Sequence, residues 1–130
     1  MDEASKKPAP VFIHPIEQAF ARILDFYGIA WEYEPRTFAL KWDKEGQVIE
    51  AFKPDFYLPQ QNLYIELTTL RPKLTRRKNR KLKRLKELYP EINIKLFKRR
   101  ELRNMMIRFG MSEEAEHIFG TEAQVMEDWE

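Results

Sequence analysis

The sequence predicts an α/β fold with a mixed central sheet flanked by helices. Apolar residues recur at helical spacing over 15–27, 76–89 and 100–109. Two β-type runs, Pro54-Asp55-Phe56-Tyr57-Leu58 and Leu63-Tyr64-Ile65-Glu66-Leu67-Thr68, flank a polar turn. A helical stretch separates the second run from an aliphatic run at 92–97, the spacing of two parallel strands joined by a crossover helix.

In chain order, residues 1–13 read as a flexible leader, because Pro8 and Pro10 discourage regular structure. Pro15 suits the first position of a helix over 15–27. Ile16, Phe20, Ile23, Leu24 and Tyr27 form its apolar stripe, and Gly28 stops it. Glu17 lies at the edge of that stripe, as a solvated acid favoured by the helix N-terminus or as a site residue. Over 30–52, Trp31 and Tyr33, then Phe38, Leu40 and Trp42, alternate with polar positions, and Val48 to Phe52 resumes the pattern after a turn at 43–46. Trp31 and Trp42 are expected to pack, and Glu32 and Glu34 to be sheet-surface charges.

In the central pair of runs, alternation places Leu63, Ile65 and Leu67 on one face and Tyr64, Glu66 and Thr68 on the other. Lys53, Asp55 and Tyr57 share a face of the first run. Paired as a hairpin, the two runs bring Asp55 and Glu66 together on one exposed face. Two carboxylates held close repel, and a hard cation such as Mg²⁺ relieves that repulsion.

Thr75 is the expected N-cap of a helix over 76–89 with Leu82, Leu85, Leu88 and Tyr89 inward. A strand over 92–97 follows, with Ile92, Ile94 and Leu96 as its apolar set. A helix over 100–109 buries Leu102, Met105, Met106 and Phe109 and ends at Gly110. The main domain is thus read as 14–110, followed by an acidic helix capped by Ser112 and a tail, 111–130.

The net charge is only +2, but residues 71–86 hold ten Lys or Arg and no acid, and the seven acids after Arg108 meet no base. A basic face of this kind suggests a polyanion. With like charges repelling along the helix, a phosphate backbone offsets the cost, and Arg76, Arg77, Arg80, Lys83 and Arg84 are the expected phosphate contacts. The absence of cysteine excludes disulfides and thiolate zinc sites and is compatible with a cytoplasmic home. No apolar run reaches the ~20 residues of a membrane helix. No glycine-rich phosphate loop is present, which argues against an ATPase. His14 and His117 have no metal-ligand or triad context.

Pro54-Asp55, a short hairpin and then Glu66-Leu67-Thr68 resemble the PD-(D/E)XK signature of the restriction-endonuclease-like fold, and the αβββαβ order over about 14–109 is similar to its core. The stretch from Glu66 to Phe97 also resembles phage Holliday-junction resolvases and very-short-patch repair nucleases. The resemblance implies a Mg²⁺-dependent DNA endonuclease, with Mn²⁺ as a substitute, acting on DNA structure or in repair. It implies Asp55, Glu66 and the Leu67 carbonyl as metal ligands, with Glu17 adding another. Thr68 stands where the family has lysine and cannot replace its charge. Lys78 on the basic helix is the favoured substitute, with Lys53 and Lys73 behind it. A homodimer is expected for a two-strand substrate. The alternative is a catalytically inactive DNA-binding module of the same fold.

Overall fold

The two runs around residues 54–68 pair as an antiparallel hairpin, β4 (Phe56–Leu58) and β5 (Leu63–Leu67), with Phe56 opposite Ile65 and Leu58 opposite Leu63. The structure is a computed structural model and describes residues 11–69 and 75–120. The remaining elements are α1 (Pro15–Phe26), β1 (Glu32–Tyr33), β2 (Phe38–Trp42), β3 (Val48–Phe52), α2 (Arg76–Leu88), β6 (Ile94–Phe97), α3 (Arg99–Arg108) and α4 (Ser112–Phe119). The expected leader up to residue 10, Lys73, and the tail beyond 120 lie outside the described residues.

The main sheet runs β1-β4-β5-β6, with β5 and β6 parallel and its other pairs antiparallel. It is a mixed sheet flanked by helices, as expected, and α2 makes the crossover from β5 to β6. Strands β2 and β3 pair only with each other, so they form a separate hairpin inserted between β1 and β4. Along the main sheet the order is therefore helix, three strands, helix, strand.

Both faces of this sheet are covered. Phe56, Leu58, Ile65 and Leu67 pack against Ile16, Phe20, Ile23 and Leu24 of α1, Leu102 and Met106 of α3, and Ala115 and Phe119 of α4. The acidic helix α4 thus belongs to the same core, and it includes Ser112, with Met111 at its N-cap position. On the other face Tyr64 joins Phe38, Leu40 and Phe52 of the β2–β3 hairpin and Leu82 and Leu85 of α2. Leu85 has no exposed surface, and its burial alone stabilises the fold by about 1.5–3 kcal/mol.

This second layer overturns one expectation. The face carrying Tyr64, Glu66 and Thr68 is buried, because α2 and the inserted hairpin cover it. Trp31 packs as expected, edge-on to Phe56. Trp42 does not: it is 42% exposed on the inserted hairpin. Gly28 ends α1 in the left-handed region (φ +68°), where its lack of a Cβ removes the steric penalty. Thr75 occupies the N-cap position of α2, but its side chain makes no capping bond.

Candidate active site

The hairpin register places Asp55, the residue before β4, across from Glu66 near the end of β5. Each carboxylate accepts a backbone N–H from the opposite segment. Asp55 N donates to Glu66 Oε1 at 3.2 Å, and Leu67 N donates to Asp55 Oδ2 at 2.8 Å. These reciprocal bonds extend the ladder through side chains and fix both carboxyls without rotameric freedom. Asp55 is further held by its own carbonyl, which accepts from Glu34 N at 2.8 Å.

Lys78, in the first turn of α2, reaches into this end of the sheet. Its Nζ lies 3.0 Å from Glu66 Oε2 and donates to the Leu67 carbonyl, also at 3.0 Å. The pair is well shielded, with the Glu66 side chain 7% and the Lys78 side chain 29% exposed. Of the lysines considered as substitutes for the motif lysine, Lys78 is therefore brought to Glu66. Lys53 is exposed and does not line the pocket, and Lys73 is outside the described residues.

Glu17 enters from α1. It is only 3% exposed, so it is not the solvated acid allowed by the sequence. One oxygen, Oε1, accepts from Ile13 N and His14 N, each at 3.1 Å, and from the Tyr33 hydroxyl at 2.7 Å. The two backbone bonds satisfy donors left open at the helix N-terminus. Tyr33, on the edge strand β1, was not marked by the sequence as a site residue. Its signal was weak, since an aromatic residue on a short strand reads as packing. Burial, then the bond to Glu17, pushes the Tyr33 hydroxyl upward in pKa, so it stays a donor.

Glu17, Asp55, Glu66, Leu67 and Lys78 line a pocket of about 370 Å³ with His14, Glu34, Thr68 and Thr69, and Tyr33 stands behind Glu17. Glu34 is thus at the site rather than a plain sheet-surface charge. It also holds a left-handed backbone conformation (φ 45°), which is uncommon outside glycine and costs roughly 1–2 kcal/mol. Thr68 is buried at the pocket wall. A larger cavity of about 1030 Å³ lies between α1 and α3. Its walls are mainly apolar and it lacks the paired carboxylates, so the smaller pocket is the candidate site.

The electrostatics follow from burial. Burial first, and the Glu66 charge second, raise the Asp55 carboxyl to about 9, partly opposed by the Leu67 N–H. Glu66 is also raised by burial, with Lys78 pulling the other way. Buried carboxyls thus outnumber the nearby ammonium, and the site favours any further positive charge.

Asp55, Glu66 and the Leu67 carbonyl are hard oxygen donors of the kind Mg²⁺ takes. They fit a divalent cation in one observable respect: two of them already gather a cationic group, the Lys78 ammonium. Among the described residues, no group of three or more His, Asp or Glu side chains is disposed to hold a metal. The Glu17 carboxyl nevertheless reaches the Asp55 carboxyl by a side-chain hydrogen bond and helps to raise it.

The expected phosphate contacts on α2 divide into two sets. Arg76, Arg77 and Lys83 are exposed. Arg84 instead donates from Nε to the Leu40 carbonyl at 3.1 Å, and Arg80 lies 3.5 Å from Glu50, so both also tie the β2–β3 hairpin to α2. No helix among the described residues is long and apolar enough to cross a membrane. No protein-family model matches the chain, and no curated protein or solved structure matches it significantly.

Proposed function

We propose that this chain is a Mg²⁺-dependent DNA endonuclease of the PD-(D/E)XK type, with a restriction-endonuclease-like core. The observation that carries the reading is the juxtaposition of Asp55, Glu66, the Leu67 carbonyl and Lys78 at one end of the sheet. The order of helix, three sheet strands, helix and strand supports it. So does the position of the pocket, beside the first turns of α1 and α2, whose N-terminal dipoles favour an anion.

Asp55, Glu66 and the Leu67 carbonyl would hold the cation, with Mn²⁺ as a substitute. When bound there, a divalent ion supplies Lewis acidity for activating water and stabilising charge at the scissile phosphate. The chain's own groups do the rest. The reciprocal backbone bonds keep both carboxylates preorganised. Tyr33 and the amides of Ile13 and His14 fix Glu17 through one oxygen, and the same carboxyl is hydrogen-bonded to Asp55. Lys78 brings the positive charge that Thr68 lacks, able to orient the attacking water and offset charge on the pentacovalent phosphorus. Arg76, Arg77 and Lys83 hold the phosphate backbone along α2, so DNA is the partner, and a homodimer would supply a second site for the second strand. A cytoplasmic location is part of the same proposal.

One observation favours a second reading, a catalytically inactive DNA-binding module. The Lys78 ammonium already neutralises Glu66, and both carboxylates serve the fold by accepting backbone N–H groups. The acids therefore have structural work without a metal. Cleavage of a supercoiled plasmid and a four-way junction separates the two readings. The nuclease reading expects cutting with Mg²⁺ that EDTA and Asp55→Ala both abolish. Salt-sensitive binding with no cutting in Mg²⁺ or Mn²⁺ would establish the module instead.

A further inference from the structure

The inserted β2–β3 hairpin carries an apolar tip that the core does not use. Its base is anchored: Phe38, Leu40 and Phe52 are buried against α2 and Tyr64. Its tip is not. Trp42 and Val48 are register partners, and they are 42% and 51% exposed, while the adjacent Ile49 is 57% exposed. Neighbouring residues on a strand point to opposite faces. Val48 and Ile49 therefore expose apolar surface on both sides of the hairpin, where it projects past its support.

The tip is nevertheless closed by a hydrogen-bonded turn. Asp43 Oδ1 accepts from Glu45 N and Gln47 N, both at 2.9 Å, and Asp43 N donates to the Gln47 carbonyl at 2.9 Å. Gly46 takes the left-handed position of the turn (φ +82°). Hydration of this exposed apolar surface is unfavourable, and the closed turn does not let it collapse inward.

Its setting indicates what covers it. The hairpin is fastened to the basic helix by Arg84 to the Leu40 carbonyl, by Lys81 to the Ala51 carbonyl at 3.4 Å, and by Arg80 beside Glu50. The apolar tip is thus continuous with the cationic surface of Arg80, Lys83 and Arg84. Beside α2, Glu50 and Glu87 are each paired with one of those arginines, and at the turn Asp43 and Glu45 are matched in number by the exposed Lys41 and Lys44. A partner that suits an aromatic surface beside a cationic one is a polyanion with flat apolar faces. A nucleic acid has both side by side along its whole length, phosphates for the cationic surface and flat base faces for the aromatic one.

We propose that the β2–β3 tip is a base-contacting wedge, with Trp42 stacking on an unpaired base of DNA whose backbone lies along α2. Val48 and Ile49 fill the step that the base vacates. Fully stacked duplex offers no such face without the cost of unstacking, so the wedge favours DNA that already carries an unpaired base. This inference rests on the DNA-binding part of the function proposed above and is independent of catalysis.

The test is fluorescence anisotropy in EDTA, with a plain duplex and the same duplex carrying one unpaired base. The wild-type chain should prefer the second. Trp42→Ala should lose about tenfold in affinity for it, as expected for one lost stacking contact, while plain-duplex binding changes by less than about twofold. Trp42→Phe should retain most of the preference, and Val48→Ser with Ile49→Ser should reduce it without touching the aromatic ring. Equal affinity of wild type for the two DNAs, or equal losses on both in Trp42→Ala, would overturn the wedge. Failure of the wild-type chain to bind either DNA would overturn it too. Sedimentation in which Trp42→Ala dissociates a self-associated wild type would assign the tip to a second copy. Absence of Mg²⁺-dependent cutting would defeat the nuclease reading alone, since this binding readout needs no metal.

Discussion

Replacing Asp55 by asparagine should stabilise the metal-free protein at neutral pH, by an amount that grows as the pH rises. In the folded chain, burial and then the Glu66 charge hold the Asp55 carboxyl protonated up to about 9, against an ordinary value of 3.8. Between these values the folded state keeps a proton that the unfolded state has released, so stability falls as pH rises. The contribution is complete below 3.8 and is lost on approaching about 9. Each pH unit inside the window costs about 1.4 kcal/mol for one such group. From about pH 5 to about pH 7, wild type should lose up to ~3 kcal/mol relative to Asp55→Asn. This is a ceiling, because Asp55 is partly exposed and Glu66 titrates with it. Asparagine keeps an acceptor for the Leu67 N–H, so the comparison isolates the charge. Urea unfolding in EDTA across this pH range gives the midpoint shift at constant slope. Parallel pH profiles for the two proteins, or a variant less stable at neutral pH, would refute the reasoning. Adding Mg²⁺ should reverse the order, because a cation that binds the ionised pair stabilises only the wild type.

Two further outcomes follow from the contacts around Glu66 and Glu17. Lys78→Ala should destabilise the fold by about 1–3 kcal/mol, below the range for fully buried pairs because Lys78 is 29% exposed. The same variant should lose at least ~100-fold in single-turnover cleavage while DNA affinity holds, judged against the ~10²–10⁴-fold effects of general acid–base groups. An undiminished cleavage rate would remove Lys78 from the catalytic role. Tyr33→Phe deletes the 2.7 Å hydrogen bond to Glu17 and should cost about 1.5 kcal/mol in chemical denaturation, since the acceptor is a carboxylate. A Mg²⁺ titration should also show weaker binding in this variant, and an unchanged isotherm would separate Glu17 from the cation.

Much of this arrangement was legible in local pattern. The alternation in Leu63-Tyr64-Ile65-Glu66-Leu67 fixed which side chains share a face, and the polar turn at 59–62 fixed the pairing that sets Asp55 opposite Glu66. The crossover through α2 was legible because a helical repeat stands between two aliphatic runs. Exposure was not legible. Alternation gives a face but cannot tell whether another layer covers it, so Glu66 was expected on an exposed surface and is buried under α2 and the inserted hairpin. The independence of that hairpin was hidden for the same reason: β2 and β3 have ordinary strand patterns, and only the partner strands distinguish an insert from part of the sheet. Local sequence does not mark Tyr33 and Glu34 as site residues, because their approach depends on where β1 docks. The charge of Arg84 predicts a phosphate contact, and its guanidinium also bonds the Leu40 carbonyl, which charge alone does not reveal.

The position of Lys78 has a mechanical consequence on the nuclease reading. A lysine two residues beyond Glu66 would be carried by the same strand as the acid, and its distance to the site would be fixed by the sheet. Here the positive charge arrives on α2, the helix that also presents Arg76, Arg77 and Lys83 to a phosphate backbone. Any adjustment of α2 on DNA therefore moves the ammonium relative to Glu66 and Leu67. The two 3.0 Å contacts made by Lys78 in the free chain compete with a cation for the same oxygens. DNA that draws α2 outward would release those oxygens, and the metal and the substrate would then bind with positive coupling. The coupling is reciprocal, so Mg²⁺ should tighten DNA binding by the same factor that DNA tightens Mg²⁺ binding. In Lys78→Ala the oxygens are free from the start, and that mutual enhancement should largely disappear while the intrinsic affinity for Mg²⁺ rises.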